Sequence, residues 1–488
     1  MIDREAIKHS VEEDYIGFKP SYGNMGPVHL AHGIFMGISE KSWNTNRFFE
    51  FIRPFNAKGV TEVGHDNASV YKYLSSKEVD AIDIREISED DLLIFRTLAN
   101  KIACMDKGAY AKSMQSYSVV NEHYLGNDTI GIEIGEFIAY AIKKLSPMLY
   151  SKVKIWLADS EDLLSMIFVP VESNIQKEYK PSINLDEKLN LFLNRNVKNG
   201  TADRLTNAMK NLFDTLSYHM ENTNNYLANM RELVLVSSFL IIRYMACLED
   251  IYIKESYEDM IPLLLDFTDD SNGAVSLASK LNYTMICNSV SRFYARKYGE
   301  KIFEDNEVGD ILQLSVPATK QLDLAKSLWD YCLEELNEKK YELPKEELYD
   351  LIGFALYGII QIDTSANPNS CMRKIGTESG IFYPASPNPP IKRMCLKQDT
   401  FEAIIKANVN PEETLTVDDL QDKLWINLGI VIGGREIDEQ RLNKAGISGI
   451  DTDSLKENQK LFVEKLESLD FARLLADGIL QVRLGDRK

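Results

Sequence analysis

Histidine, cysteine and carboxylate spacing is where chemistry would first show in this sequence. His29 and His32 stand three apart in "HLAH". On a helix they would share a face, and a third ligand would make a metal site. No H-E-x-x-H is present and no cysteine is close by, so surface or hydrogen-bonded histidines are the expected reading. "GHDNAS" (64–69) sets His65 beside Asp66, but adjacent residues point apart. The acid runs "EEDY", "SEDD", "DSED" and "DFTDD" hold the raw material of a metal-dependent nuclease. Acids at helix starts, however, serve as caps and dipole partners. Six cysteines (Cys104, Cys247, Cys287, Cys332, Cys371, Cys395) are scattered without close pairing, which fits reduced thiols. No G-x-x-x-x-G-K-[ST] loop occurs, and "VIGGRE" (431–436) and "GIEIGEF" (131–137) lack the residues that would hold phosphate. No catalytic residue, metal ligand or cofactor is assigned.

Basic residues with polar neighbours suggest a different chemistry. Near the C-terminus, Lys456, Asn458, Gln459, Lys460 and Lys465 lie in "LKENQKLFVEKLESL", and Arg473 and Arg483 flank Asp477-Gly478 in "FARLLADGILQVRL". Asn and Gln can read adenine edges, while Lys and Arg neutralise phosphate. Glu457, Glu464 and Glu467 share that helix and would oppose phosphate unless they point away. A second cluster, Arg373, Lys374, Lys392, Arg393 and Lys397, lies near Phe382 and Tyr383 with Glu378 as its acid. Cations interleaved with aromatics can hold a nucleic-acid backbone and stack a base. A charge-balancing surface loop explains the same residues, and both readings stay open.

Elements must position these side chains. Residues 1–75 are mixed, with "KPSYGNMGPVHLAHGIFMG" giving no clean period. From 76 to 362 helical spacing dominates. Helices are expected at 134–145, as a pair across 201–253, and at 257–266, 274–298, 318–338 and 344–362. A strand–helix–strand is expected over 152–171, where β-branched and aromatic residues are dense. Residues 363–398 carry five prolines and two glycines and read as a boundary loop. From 399 to 488 a small domain is expected. Thr416 caps a helix that ends at Gly429, Asp453 or Ser454 caps the next long helix, and a hairpin turns on Asp477-Gly478. Helices followed by a hairpin make the order of a winged helix, in which the wing contacts phosphates. The expected fold class is mainly α, a large helical body with a small α+β winged-helix-like C-terminal domain.

Composition narrows the partners. The 488 residues carry a net charge of −19, which repels nucleic acid and anionic membrane in bulk. Contact with DNA would therefore need a local basic patch. The start, "MIDREAIKHSVEEDY", has no apolar core and does not read as a secretory signal. The longest apolar run, 233–248, is interrupted by Arg243 and is shorter than a membrane span. A cytoplasmic protein without a membrane segment is expected.

The stretch from "CMRKIGTESGIFYPASPNPPIKRMCL" through "LWINLGIVIGG" (371–434), with the ending "FARLLADGILQVRL", resembles helical accessory proteins encoded beside ATPases in prokaryotic phage-defence and restriction clusters. The resemblance covers about the last quarter of the chain and implies a non-enzymatic subunit that works with protein partners, such as an ATPase or nuclease. DNA contact through the C-terminal domain is left open. The alternatives are a metal-dependent nuclease with an unrecognised site and a ligand-responsive transcriptional regulator.

Overall fold

The computed structural model describes residues 3–20, 26–43, 132–158, 200–221, 225–254, 260–317, 319–363, 367–386, 389–475 and 480–484. It also describes residues 88, 90, 94, 122, 125, 176, 177 and 179. His65, Asp66, Cys104, His123 and the Asp477-Gly478 turn lie outside the described residues.

The described chain is mainly helical. Its first elements are α1 (Arg4–Val11), a π-helical turn (Glu12–Ile16), α2 (Pro27–Ser39), β1 (Ser42–Trp43), α3 (Glu133–Leu145), α4 (Pro147–Ala158) and β2 (Gln176–Lys177). Next come α5 (Gly200–Glu221), α6 (Tyr226–Ala246), a second π turn (Asp250–Lys254), β3 (Leu263–Leu264), α7 (Ala274–Asp305), α8 (Val308–Ile311), α9 (Leu322–Lys339) and α10 (Lys345–Asp363). The remainder holds α11 (Pro368–Glu378), β4 (Phe382–Tyr383), β5 (Arg393–Met394), α12 (Gln398–Asn408), β6 (Leu415–Thr416), α13 (Val417–Leu428), β7 (Ile430–Val431), α14 (Glu436–Lys444), α15 (Thr452–Ser468), β8 (Ala472–Leu474) and β9 (Leu480–Val482). Among the described residues, no helix is long and apolar enough to cross a membrane.

Three sequence expectations need correction. The start of 152–171 is helical, because Leu149, Val153 and Leu157 recur on one buried face. Residues 260–266 are extended rather than helical, and they carry β3. The expected boundary loop holds α11 and the β4–β5 ribbon. Pro368 sits in the first helical turn, where its missing N–H costs nothing, and Asn367 caps that turn by accepting from the Ser370 N–H at 2.8 Å.

Two compact units emerge. One comprises 24–184 and 222–234, the other 1–23, 185–221 and 235–488. In the first, α2 crosses α3 through glycine. A Cβ on Gly33 would overlap the Gly135 Cα at 2.7 Å, and one on Gly37 would meet the Ala139 Cβ at 2.6 Å. Close backbone approach of this kind requires the missing side chains. Glu40 then bridges Lys143 (2.7 Å) and Lys154 (2.8 Å), which together hold its carboxyl down at about 2.

In the second unit, α7 and α10 cross through Gly299 and Gly353. Each lies where a Cβ would enter the backbone of the opposite helix, at Tyr349 and Ala295 respectively. Arg296 pairs bidentately with Asp350 at 2.6 Å across the same crossing. The extended segment 262–268 is the hub of this unit. β3 runs parallel to β7, with Leu263 opposite Ile430. Asn282 of α7 accepts from the Leu264 N–H and donates to the Pro262 carbonyl, while the Ser279 hydroxyl donates to the Leu264 carbonyl. Leu264, Val275, Ala278, Val431, Leu442, Ile447 and Leu455 close the core around the hub.

Helix α13 ends as its sequence requires. Thr416 caps its start by accepting from the Asp419 N–H, and Gly429 leaves in the left-handed conformation at φ +67°. The buried Arg243 guanidinium lies against Gly429 and donates to the Ile261 carbonyl. A Gly429→Ala substitution therefore meets both a positive φ and a guanidinium. It should lower stability by about 1–3 kcal/mol, read as a fall in the urea midpoint.

Candidate nucleic-acid interface

Helix α15 is capped by Asp451, not Asp453 or Ser454, because the Asp451 carboxylate accepts from the Ser454 N–H at 2.7 Å. Leu455, Asn458, Phe462 and Leu466 are buried along one stripe. This periodicity turns Lys456, Glu457, Lys460, Glu464 and Glu467 outward. The hairpin follows. β8 and β9 pair antiparallel, with Ala472 opposite Val482 and Leu474 opposite Leu480. A two-residue turn at Asp477-Gly478 would put Leu474 opposite Gln481, so the ladder is offset by one from that expectation. The offset lets Ala472 and Val482 share the buried face; the other register would set Val482 against exposed Arg473. β6 adds to the far edge of β9, giving the strand order β6-β9-β8.

The individual residues divide sharply. Lys456 lies 4.0 Å from Asp453, and Lys460 lies 3.5 Å from Glu457 and 3.8 Å from Glu464. Across α15, Lys456, Lys460 and Lys465 stand against four carboxylates, so the helix is net negative. Arg473 is exposed and pairs bidentately with exposed Asp470 at 2.9 and 3.0 Å. Arg483 is exposed, and its backbone N–H donates to the Phe471 carbonyl. Asn458 was expected to read a base edge, but it is buried. Its amide donates to the Leu265 and Ile432 carbonyls at 2.8 and 2.7 Å and accepts from the Phe267 N–H at 2.8 Å. Gln459 lies over Gly434 and donates to the Gln421 side chain at 3.3 Å, so its amide also faces inward.

The second basic cluster divides in the same way. Arg393 is buried in an ion pair with Asp266 at 2.5 Å, with further bonds to the Thr268 carbonyl and the Ser276 hydroxyl. The Tyr383 ring covers it, 5.0 Å from the guanidinium carbon. Asp266 also accepts from the Thr268 N–H and hydroxyl. Arg393 thus fastens the β4–β5 ribbon to the hub and presents no charge outward. Lys392 is buried and donates to the Ser386 carbonyl. Arg373 and Lys374 are half-buried on α11, and Lys397 is exposed with its stem on Gly380.

Among the described residues, neither histidine of "HLAH" belongs to a metal-like cluster. Both are buried on α2, and His29 Nδ1 accepts from the Gly26 N–H. Among the described residues, no group of three His, Cys, Asp or Glu side chains could hold a metal ion. Burial pushes the thiols of Cys247 and Cys287 up to about 11 and those of Cys332 and Cys371 up to about 12, so none is set up as a thiolate nucleophile. Sequence reasoning missed Asn282, Ser279 and Asp266, which organise the hub. A polar residue at an apolar-stripe position, as at Asn458, was the available signal. No protein-family model, curated protein or solved structure matches the chain.

Proposed function

We propose that the chain is a non-enzymatic subunit of a multiprotein assembly, of the kind prokaryotes encode beside ATPases for phage defence or DNA processing. Its C-terminal part is a winged-helix-like module whose exposed side docks protein. The assembly reading rests on the resemblance of residues 371–434 and of the terminal hairpin. The order α12, β6, α13, α15, β8, β9, with β9 between the other two strands, supports the winged-helix reading. It departs from the simplest pattern by inserting β7 and α14 between the second and third helices.

One observation carries the choice of protein over DNA. The outward face of α15 is net negative, and Lys456 and Lys460 are each close to a carboxylate. Neutralising phosphate there would first require breaking those pairs. The hairpin adds exposed Leu474 at the sheet edge, a side chain suited to a protein surface. Binding to labelled duplex DNA across a salt series tests this reading, with Arg473→Glu, Arg483→Glu run beside the wild type. We expect both proteins to bind weakly and alike, while the wild type co-purifies with products of neighbouring genes. Steeply salt-dependent binding that the double variant loses would overturn the docking reading and make the hairpin a wing on phosphate.

A further inference from the structure

Helix α9 carries two apolar stripes, and only one of them is covered. Ala325, Trp329, Cys332 and Leu336 are buried along the first. Leu324, Leu328 and Tyr331 make the second, at the i, i+4 and i+7 spacing of a helix face. Leu324 and Tyr331 are 56% and 60% exposed, so this stripe faces solvent. Single exposed leucines are ordinary, but a stripe that repeats with the helix is a surface.

Helix α10 continues that surface. The two helices run antiparallel, since the Gln321 amide donates to the Ile362 carbonyl and the Cys332 thiol to the Leu351 carbonyl, both at 3.3 Å. Between these contacts lies Gly358, where a Cβ would come within 2.7 Å of the Leu328 Cδ2. The missing side chain lets Leu328 lie down against the α10 backbone. Phe354 stands one turn before Gly358 on the same face and is 43% exposed. Leu324 and Tyr331 stand one turn to either side of Leu328. The four apolar side chains therefore line one seam between the helices, with Leu328 over Gly358 as its floor.

The rim of the seam is acidic. Glu334 and Glu338 follow Tyr331 along α9, and Glu347 lies two turns before Phe354 on α10. All three are exposed, and none is in an ion pair among the described residues. The lysines of α9 do not offset them. Lys326 is two residues from both Leu324 and Leu328 and so points away from the stripe. Lys339 is held by Glu335, and Lys320 precedes the helix.

We propose that this seam docks an amphipathic helix of another protein, one whose apolar stripe is flanked by lysine or arginine. Charge selects that occupant. A second copy of the chain would bring its own Glu334, Glu338 and Glu347 to the same seam, and the net charge of −19 adds to the repulsion. A basic helix instead brings an opposite charge to each acid while its apolar stripe covers Leu324, Tyr331 and Phe354. The proposal goes beyond the docking role of the C-terminal hairpin. The two surfaces share no residue, so either reading can fail alone.

The test uses the full chain and two labelled synthetic helices with the same leucine stripe, one flanked by lysine and one by glutamate, followed by fluorescence anisotropy. The lysine-flanked helix should bind at least about tenfold tighter. Leu324→Ser, Phe354→Ser should weaken it about tenfold or more, because the seam is lost while the buried stripe stays. Glu334→Lys, Glu338→Lys should reverse the preference. Glu457→Lys, Glu464→Lys makes an equal charge change on the outward face of α15 and should bind as the wild type does. This control separates the seam from bulk charge and from the C-terminal surface. Equal binding of the two helices by the wild type, or a preference left unchanged by Glu334→Lys, Glu338→Lys, overturns the proposal. So does a dimer, read by light scattering, that Leu324→Ser, Phe354→Ser converts to monomer, since it gives the seam to a second copy. Should the serine variant fail to fold, the exposed glutamate pair decides alone.

Discussion

Gly353→Val should cost at least about 3 kcal/mol and leave much of the protein insoluble on expression. The Gly353 backbone lies against the Ala295 carbonyl of α7, and Gly299 lies against Tyr349 of α10. A Cβ at either position enters the backbone of the opposite helix, which has no side-chain rotamer to adjust. The helices must then separate. That would loosen the stacked Tyr294–Tyr357 pair and the bidentate Arg296–Asp350 bridge together. For a unit of this size, such a loss corresponds to a midpoint fall of roughly 4–5 °C or more. Gly309→Ala is the matched control. A Cβ there meets nothing within 4 Å, and the short helix α8 gains a better helix former. Its expected effect is neutral or stabilising, up to about 1 kcal/mol. Equal losses in the two variants would show that glycine removal, not close packing, sets the effect.

The same crossing shows where sequence reading succeeds and stops. Helices α7, α9 and α10 were legible from apolar spacing, since a buried stripe has a period. Helix α13 was legible to the residue, because Thr416 and Gly429 perform local backbone chemistry at its two ends. That Gly299 would meet Tyr349 was not legible: it depends on two helices 50 residues apart crossing at one point. The region 363–398 misled because proline density marks loops on average. Here Pro368 starts a helix, and the ribbon is held by Arg393 reaching Asp266, a pairing 127 residues long in sequence. Arg393 and Asn458 misled for a related reason. Charge is visible in a sequence, but its neutralisation is not.

Asn458→Ala should destabilise the C-terminal part by about 3–5 kcal/mol and leave any nucleic-acid affinity of the folded protein unchanged. The amide serves three backbone groups at once, the Leu265 and Ile432 carbonyls and the Phe267 N–H. Two of these belong to the hub and one to the residue after β7, and both carbonyl bonds are buried. Removing the amide orphans two acceptors and a donor, and each buried orphan costs about 1–3 kcal/mol. Asn458→Asp sharpens the test. It keeps an acceptor for the Phe267 N–H but loses both donors and buries a charge against two carbonyls, so it should be no more stable than the alanine variant. Lys456→Ala, two residues earlier on the outward face, should change stability by less than about 0.5 kcal/mol. Were Asn458 a base reader, the order would invert: the alanine variant would melt as the wild type does and lose discrimination among DNA sequences. The sequence carried the means to choose, for Asn458 stands three residues after Leu455 and four before Phe462, on the apolar stripe of its own helix.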